Sequence, residues 1–340
     1  MKSRIKLVLT AFFIILTAVI LLVFPKVISK GVVNGLLMCG NILIPAVFPF
    51  CVLAVFIFRC GILNNIKGKY GKLFAIFLIS LVGGYPVGSK IISDEYTSGF
   101  IKQKTAKTML CFCINAGPAF IYTFAGIGVL QNKSAGVILL VSHIISSLEI
   151  LIFLLLRKKI KPSVNASKLL LNEGLETVFV QSVSAASNSI ISICSFTVIF
   201  SGFIELIKYL NINGTLISIL EVTNGIVNTN NIYLISFLLG FGGFCVILQI
   251  YSYSNKFCNI FYLIITRFLH GALSLFNTAI LVKVFNYRLS VFSNAKAYDF
   301  KVVGETTGLS LMLIITAFIF LISLSYKKYS GKVLKDTFFL

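Results

Sequence analysis

The sequence predicts an all-α protein that crosses a membrane several times, and three observations carry that expectation. Hydrophobic residues make up 58% of the 340 and charged residues 12%, with a mean hydropathy of +0.99, whereas soluble domains run nearer roughly 45–50% apolar and about 25% charged. The apolar residues fall in runs of membrane-crossing length, enough for about eight or nine helices, some broken or re-entrant. Lys and Arg gather in short clusters between those runs. Together these exclude disorder, a disulfide-stapled secreted fold and an ordinary cytosolic enzyme.

The first element is the stretch from Leu7 to Phe24, preceded by Lys2, Arg4 and Lys6. At about 1.5 Å per residue it reaches roughly 27 Å, enough for the hydrocarbon core. No small-x-small cleavage site follows, and the run ends in Phe24-Pro25-Lys26. It reads as an uncleaved N-terminal transmembrane helix within 1–30, its N-terminus in the cytoplasm.

Further apolar segments run over 32–63, 73–93, 108–130, 134–156, 176–210, 214–227, 232–252, 257–286 and 307–326. Residues 32–63 would make a helix of about 48 Å, too long for one crossing without strong tilt. With Asn41, Pro45 and Pro49 inside it, a broken helix or a re-entrant hairpin is expected. Segment 73–93 is interrupted by Gly83-Gly84-Tyr85-Pro86-Val87-Gly88, where glycines weaken the helix and Pro86 is suited to restart it. Segment 108–130 carries a similar device, Asn115-Ala116-Gly117-Pro118. Bare backbone at membrane depth is costly unless protein or a wet cavity satisfies it, so repeated breaks point to a pathway or a binding site. Either 32–63 spans and 73–100 is re-entrant, or the reverse.

A weak internal repeat accompanies the breaks. Ser80 to Val87 resembles Leu239 to Val246, which places Gly83-Gly84 over Gly242-Gly243 and Lys90 over Gln249. Asn41 then matches Asn188, and Gly136 matches Gly308, with drifting offsets but a constant order. Repeats built on discontinuous helices characterise secondary transporters.

The formal charge of +20 would suggest nucleic acid in a soluble chain. Here it is distributed as Lys67/Lys69/Lys72, Lys102/Lys104/Lys107, Arg157/Lys158/Lys159/Lys161 and Lys327/Lys328/Lys332/Lys335, the pattern of cytoplasmic loops rather than of a phosphate groove. The eight cysteines lie mostly inside apolar runs, and Cys111-x-Cys113 has no second pair, so no metal and no cofactor is expected.

Three motifs in order and spacing, Pro45-Ala-Val-Phe-Pro49-Phe50, Gly83-Gly-Tyr-Pro-Val-Gly-Ser-Lys90 and Asn115-Ala-Gly-Pro-Ala-Phe-Ile121, resemble the sporulation integral membrane protein YlbJ family, part of a wider gate-domain group that includes nucleoside and ferrous-iron transporters. Glu221-Val-Thr-Asn-Gly225 looks like that family's acidic motif, while Gly243-Phe-Cys-Val departs from its proline-containing form, so the halves are not expected to be equal. The resemblance covers about 30–325 and implies a first gate-like repeat over 31–161, a cytoplasmic linker over 162–175, a second repeat over 176–328 and a basic tail over 329–340. It also implies passage of a small solute during sporulation, dipicolinate-like, across the cell membrane or a forespore-associated membrane; the motifs do not separate this from nucleoside handling.

The candidate solute-binding residues are Gly83, Gly84, Tyr85, Pro86, Gly88, Ser89, Lys90, Asn115, Gly117, Pro118, Glu221, Thr223, Asn224, Gly225 and Arg267. A helix restarting at Pro86 would present unpaired N–H groups, with Ser89 and Lys90 completing an anion seat; the alternative is a packing kink with Lys90 snorkelling or pairing with Asp94. Gly83-x4-Gly88-Ser-Lys is no phosphate loop, because the order is wrong and a proline interrupts it. Asn115 either caps the helix that Pro118 begins or turns its amide to a ligand. Glu221, inside an apolar run, is a coupling group or a partner for Lys90 or Arg267. Arg267 and His270 share a helix face, and bind either a carboxylate or neighbouring carbonyls. His143 and Glu149 are expected to be satisfied by helix neighbours.

No nucleophile–base set is present in the sequence, so no enzyme is expected. The function expected is alternating-access transport of a small polar or anionic solute, with a nucleoside or nucleobase carrier and a non-transporting spore-formation scaffold as rivals. The partners expected are the solute, the lipid bilayer, and a second copy or other sporulation membrane proteins, with no nucleic acid.

Overall fold

The computed structural model describes residues 2–61, 66, 69–157, 174–212 and 214–285. The expectations placed on Lys158 to Lys161, most of the 162–175 linker, the 307–326 segment with its Gly308 match, and the 329–340 tail lie outside the described residues. Among the described residues every regular element is helical. Five stretches are long and apolar enough to cross a membrane: Pro25–Arg59, Lys133–Leu156, Leu175–Tyr209, Ile232–Ser254 and Ile260–Val284. The chain is a polytopic all-α membrane protein.

Helix α1 (Lys2–Val23) stops at Phe24, whose φ −117°, ψ 43° leave the helical region, and Pro25 heads α2 (Pro25–Met38). A proline in the first turn loses only an N–H that would be unpaired there. The first helix therefore ends before residue 30. Helix α2 continues through a π-helical turn, π1 (Cys39–Leu43), into α3 (Ile44–Arg59). This corrects the expectation of a broken helix or hairpin over 32–63. In π1 the N–H of Ile44 donates to the Cys39 carbonyl, a wider ring placed just before Pro45, so the donor that proline lacks is absorbed without a break. The hairpin lies instead at 69–97.

The Pro25–Arg59 rod lies along α8 (Leu175–Tyr209), which has the same length, 35 residues. Backbone meets backbone there: a Cβ on Gly31 would stand 2.5 Å from the Ser201 carbonyl oxygen, and one on Gly35 would stand 2.9 Å from Val198 Cα. Small residues at such a seam let membrane helices approach closely.

Helix α4 (Lys69–Gly83) and α5 (Tyr85–Thr97) are joined by Gly84 at φ 81°, ψ −176°, a region essentially restricted to glycine. The chain folds back there. A Cβ on Gly88 would stand 3.1 Å from Ser80 Cβ, whereas a straight helix would separate those positions by about 12 Å. In the second half α9 (Gly214–Leu220) and α10 (Val222–Val227) fold back across Glu221, with a Gly225 Cβ position 2.7 Å from the Ser218 oxygen.

A broken run follows each hairpin. Helix α6 (Gln103–Met109) gives way to non-helical residues 114–117, and the chain resumes at Pro118 into π2 (Phe120–Val129). Helix α11 (Ile232–Phe241) kinks into α12 (Gly243–Ser254) through Gly242 and Gly243, at φ 82° and 75°. A capped helix closes each set: Asn132 accepts from Ala135 N–H at the head of α7 (Lys133–Leu156), and Asn259 from Tyr262 N–H at the head of α13 (Ile260–Val284). The order of long rod, hairpin, broken run and capped helix thus occurs twice. Its register differs from the expected one: Gly84 corresponds to Glu221, not to Gly243, because the first is a hairpin tip and Gly242-Gly243 is a kink.

The outward faces of α1 and α13 carry exposed Phe12, Leu22, Phe261, Ile265 and Phe276, surfaces suited to lipid. Inside, hydroxyls join α7, α11 and α13. Thr278 Oγ1 lies 2.8 Å from Ser142 and 2.7 Å from Ser236, which meets Ser274 at 2.9 Å. Such interhelical bonds hold membrane bundles together where no hydrophobic drive separates protein from lipid.

Candidate functional site

The two hairpin tips and the first helix break converge at the centre of the bundle. A Cβ on Gly84 would stand 3.5 Å from Gly117 N, so the first tip backs directly onto the break. Gly84, Tyr85, Pro86 and Gly117 line one side of a cavity, and Glu221, Val222 and Thr223 line the other, with Thr197, Val246 and Gln249 between them. The space open to water centres is about 40 Å³, room for two or three waters and too small for an aromatic solute.

At the second tip Glu221 is 1% exposed. Its carboxylate accepts from Thr223 N–H (3.0 Å), Asn224 N–H (2.7 Å) and Asn224 Nδ2 (2.8 Å), so it caps α10 and answers the positive end of that helix. Neither Lys90 nor Arg267 is its partner, which corrects the expected pairing; the open N–H groups of its own helix lie nearer. Asn224 also donates to Ser201 Oγ at 3.2 Å and ties the tip to α8. Thr223 Oγ1, fully buried at the cavity wall, has no partner among the described residues.

The first tip is its electrical opposite. Gly84 caps α5 without a side chain; its own N–H donates to the Ser80 carbonyl and Pro86 has none, so the N–H groups of Tyr85 and Val87 and the positive dipole end have no side-chain cap. Ser89 and Lys90, expected to complete an anion seat, do not reach it. Ser89 Oγ donates back to the Pro86 carbonyl at 2.9 Å, and Lys90 Nζ donates to the Ala185 carbonyl of α8 at 3.2 Å. The turn of the helix carries Lys90 round to the α8 side.

Arg267 is fully buried and holds both breaks. Nη1 donates to the Ile114 carbonyl at 2.5 Å, while Nε (3.2 Å) and Nη2 (2.6 Å) donate to the Gly240 carbonyl. Of the two readings of Arg267 and His270, the carbonyl-binding one holds; the guanidinium also meets His270 Nδ1. His143 Nε2 accepts from Ala116 N–H at 3.1 Å, inside the first break. Tyr85 donates its hydroxyl to the Leu239 carbonyl, beside the carbonyl that Arg267 takes. Asn115 does not cap the Pro118 helix: its Nδ2 donates back to the Phe112 carbonyl at 2.8 Å and its Oδ1 has no partner among the described residues. Glu149 accepts from Asn277 of α13 at 2.9 Å.

Six of the expected residues therefore face the cavity: Gly84, Tyr85, Pro86, Gly117, Glu221 and Thr223. Gly83, Gly88 and Gly225 serve close packing, Asn224 braces the second tip, and Pro118 restarts the chain beyond the break. Thr197 at the cavity wall was not singled out, Gln249 beside it entered only as the match of Lys90, and His143, expected to be satisfied by helix neighbours, instead serves the break. Their signal was available, since each is a polar residue inside an apolar run.

Twin hairpin tips and a broken helix meet at a small cavity within a lipid-facing bundle, its wall mostly apolar (Leu43, Val47, Phe120, Ile193) with Glu221, Thr223 and Gln249 among it, and define a polytopic membrane protein with a central candidate site. No family model matches the chain, and no solved structure matches it. It is similar to the sporulation integral membrane protein YlbJ of Bacillus subtilis (strain 168), 22% identical over 304 residues that cover 72% of this chain and 74% of that protein. The family resemblance read from the motifs is borne out by that relationship.

Proposed function

We propose that this chain is a sporulation-associated transporter that moves a small polar or anionic solute by alternating access, its two element sets acting as gate-like repeats. The observation that carries the reading is the meeting of two hairpin tips and an unwound segment around one small internal cavity, to whose largely apolar wall Glu221, Thr223 and Gln249 add polar groups. Irregular backbone at membrane depth is tolerated where it lines such a cavity. The cavity has room only for water, so on this reading a solute enters only when a tip withdraws. The basic residues at the start of α1, Lys2, Arg4 and Lys6, and those from Arg157 onward support a cytoplasmic position for those ends.

The uncapped N-terminus of α5 attracts an acceptor or an anion, while Glu221 attracts a hydroxyl, an amine or a protonated group. The dicarboxylate class implied by the family resemblance meets the first tip well and the second poorly. A nucleoside is therefore kept as a second reading, because ribose hydroxyls suit the Glu221 carboxylate. Solute accumulation in vesicles holding the purified protein tests both. Dipicolinate uptake abolished by Gly84→Leu supports the first reading, nucleoside uptake reduced by Glu221→Ala the second, and no uptake by well-inserted protein leaves the scaffold role.

A further inference from the structure

His143 and His270 stand at the same distance beyond their caps, Asn132 and Asn259, one in each half. Their rings stack with centroids 4.6 Å apart and planes 31° from parallel, and both are essentially fully buried. His143 Nε2 accepts from Ala116 N–H, so its proton is on Nδ1. Arg267 has only donors, so His270 Nδ1 accepts from it and that ring carries its proton on Nε2. Both remaining ring nitrogens, His143 Nδ1 and His270 Nε2, are buried and make no full hydrogen bond among the described residues, though the His143 backbone lies close to the His270 ring. The pair is neutral, and each latch occupies the one nitrogen able to take a further proton.

We propose that the stacked His143–His270 pair is a proton-binding site whose occupancy releases both helix breaks. A proton on His143 Nε2 faces Ala116 N–H as donor against donor and frees the first break. One on His270 Nδ1 expels Arg267, whose other bonds tie Ile114 to Gly240. Proton binding and the latched state exclude one another, so by linkage the unlatched state binds protons more tightly, and acid shifts the population toward it. The charged group facing the pair is Arg267, with Tyr85 of α5 and Cys111 beyond it. Elements α11, α12 and π2 bring only neutral phenols and a thiol, and the Glu149 carboxylate of α7 is engaged by Asn277. No carboxylate contacts the rings among the described residues to hold an added proton in the latched state.

Backbone hydrogen exchange of the full chain in lipid nanodiscs reads the latch directly. Segments 110–120 and 236–246 should exchange at least about 10-fold faster at about pH 5.5 than at about pH 8, after correction for intrinsic chemical rates. His143→Gln with His270→Asn keeps an acceptor oxygen near each latched nitrogen and removes the titration, so the difference should fall below about 2-fold. Equal protection at both pH values in the unaltered chain overturns the proposal and needs no variant; so does a pH response that survives in a folded double variant. The readout uses no solute. Acid-dependent opening without accumulation of any solute upholds the proton site and removes transport, whereas accumulation with pH-independent protection does the reverse.

Discussion

Arg267 and Ile114 lie 153 positions apart, yet the guanidinium Nη1 of one donates to the carbonyl oxygen of the other at 2.5 Å. The same side chain holds Gly240 through two further bonds, so a single cation joins the broken runs of both halves. A membrane interior tolerates such a charge only with this density of acceptors.

Arg267→Lys keeps the charge and loses the fork, and one ammonium does not reach both carbonyl sets. Leaving a buried carbonyl unmet should cost roughly 2–3 kcal/mol, read as a lower unfolding midpoint in detergent. An unchanged midpoint would show that the breaks do not depend on this clamp.

Gly84→Ala has room, since the nearest atom to its Cβ position is 3.5 Å away, but the backbone angles at the tip forbid a side chain. The variant should lose about 1–3 kcal/mol and distort the first tip. Gly40→Ala, with nothing among the described residues within 4 Å of its Cβ position, should keep or gain up to about 1 kcal/mol. Equal melting curves for the two variants would contradict the hairpin.

Glu221→Ala removes the cap of α10 and should cost about 1–2 kcal/mol, whereas Glu221→Gln retains one accepting oxygen and should lose less than half of that. Thermal unfolding ranks the two, and the reverse order would exclude the capping role.

Lys90→Ala should leave solute affinity within about 2-fold of the unaltered chain, because the ammonium is spent on the Ala185 carbonyl, and should cost about 1 kcal/mol of stability. A 10-fold or greater loss of affinity by equilibrium binding would restore Lys90 to the solute site.

Glu95, at the loop end of α5 and 3% exposed, has its carboxyl pushed up to about 7 by burial, with Lys72 opposing and Asp94 adding to the rise. A carboxyl whose folded value exceeds its unfolded one binds protons more tightly when folded, so its contribution to stability falls as pH rises from the ordinary carboxylate range toward 7. Glu95→Gln should therefore raise the unfolding midpoint near pH 8 and leave it unchanged near pH 4. A gain confined to acid would reverse the sign and refute the account.

Much of the site could be read from single residues. Gly84, Pro86 and Pro118 marked the chain breaks because glycine and proline act locally, through allowed angles and a missing donor. Asn41, Pro45 and Pro49 misled for the same local reason: a π turn absorbed the proline, and register along a helix is a non-local outcome. The contact of Arg267 with Ile114 and the stacking of His143 on His270 depend on how distant helices pack, which no spacing within one segment reveals. The glycine pairs Gly83-Gly84 and Gly242-Gly243 match in sequence although the first marks a hairpin tip and the second a kink, because both geometries use the same residue types.

The seam between Pro25–Arg59 and Leu175–Tyr209 has a mechanical meaning. Where Gly31 and Gly35 touch Ser201 and Val198, no intervening side chain can swap rotamers, so those two cylinders have one separation and no compliant spacer. They form a stiff spine, and under the proposed transport reading the parts left to travel are the short folded-back arms hung beside it.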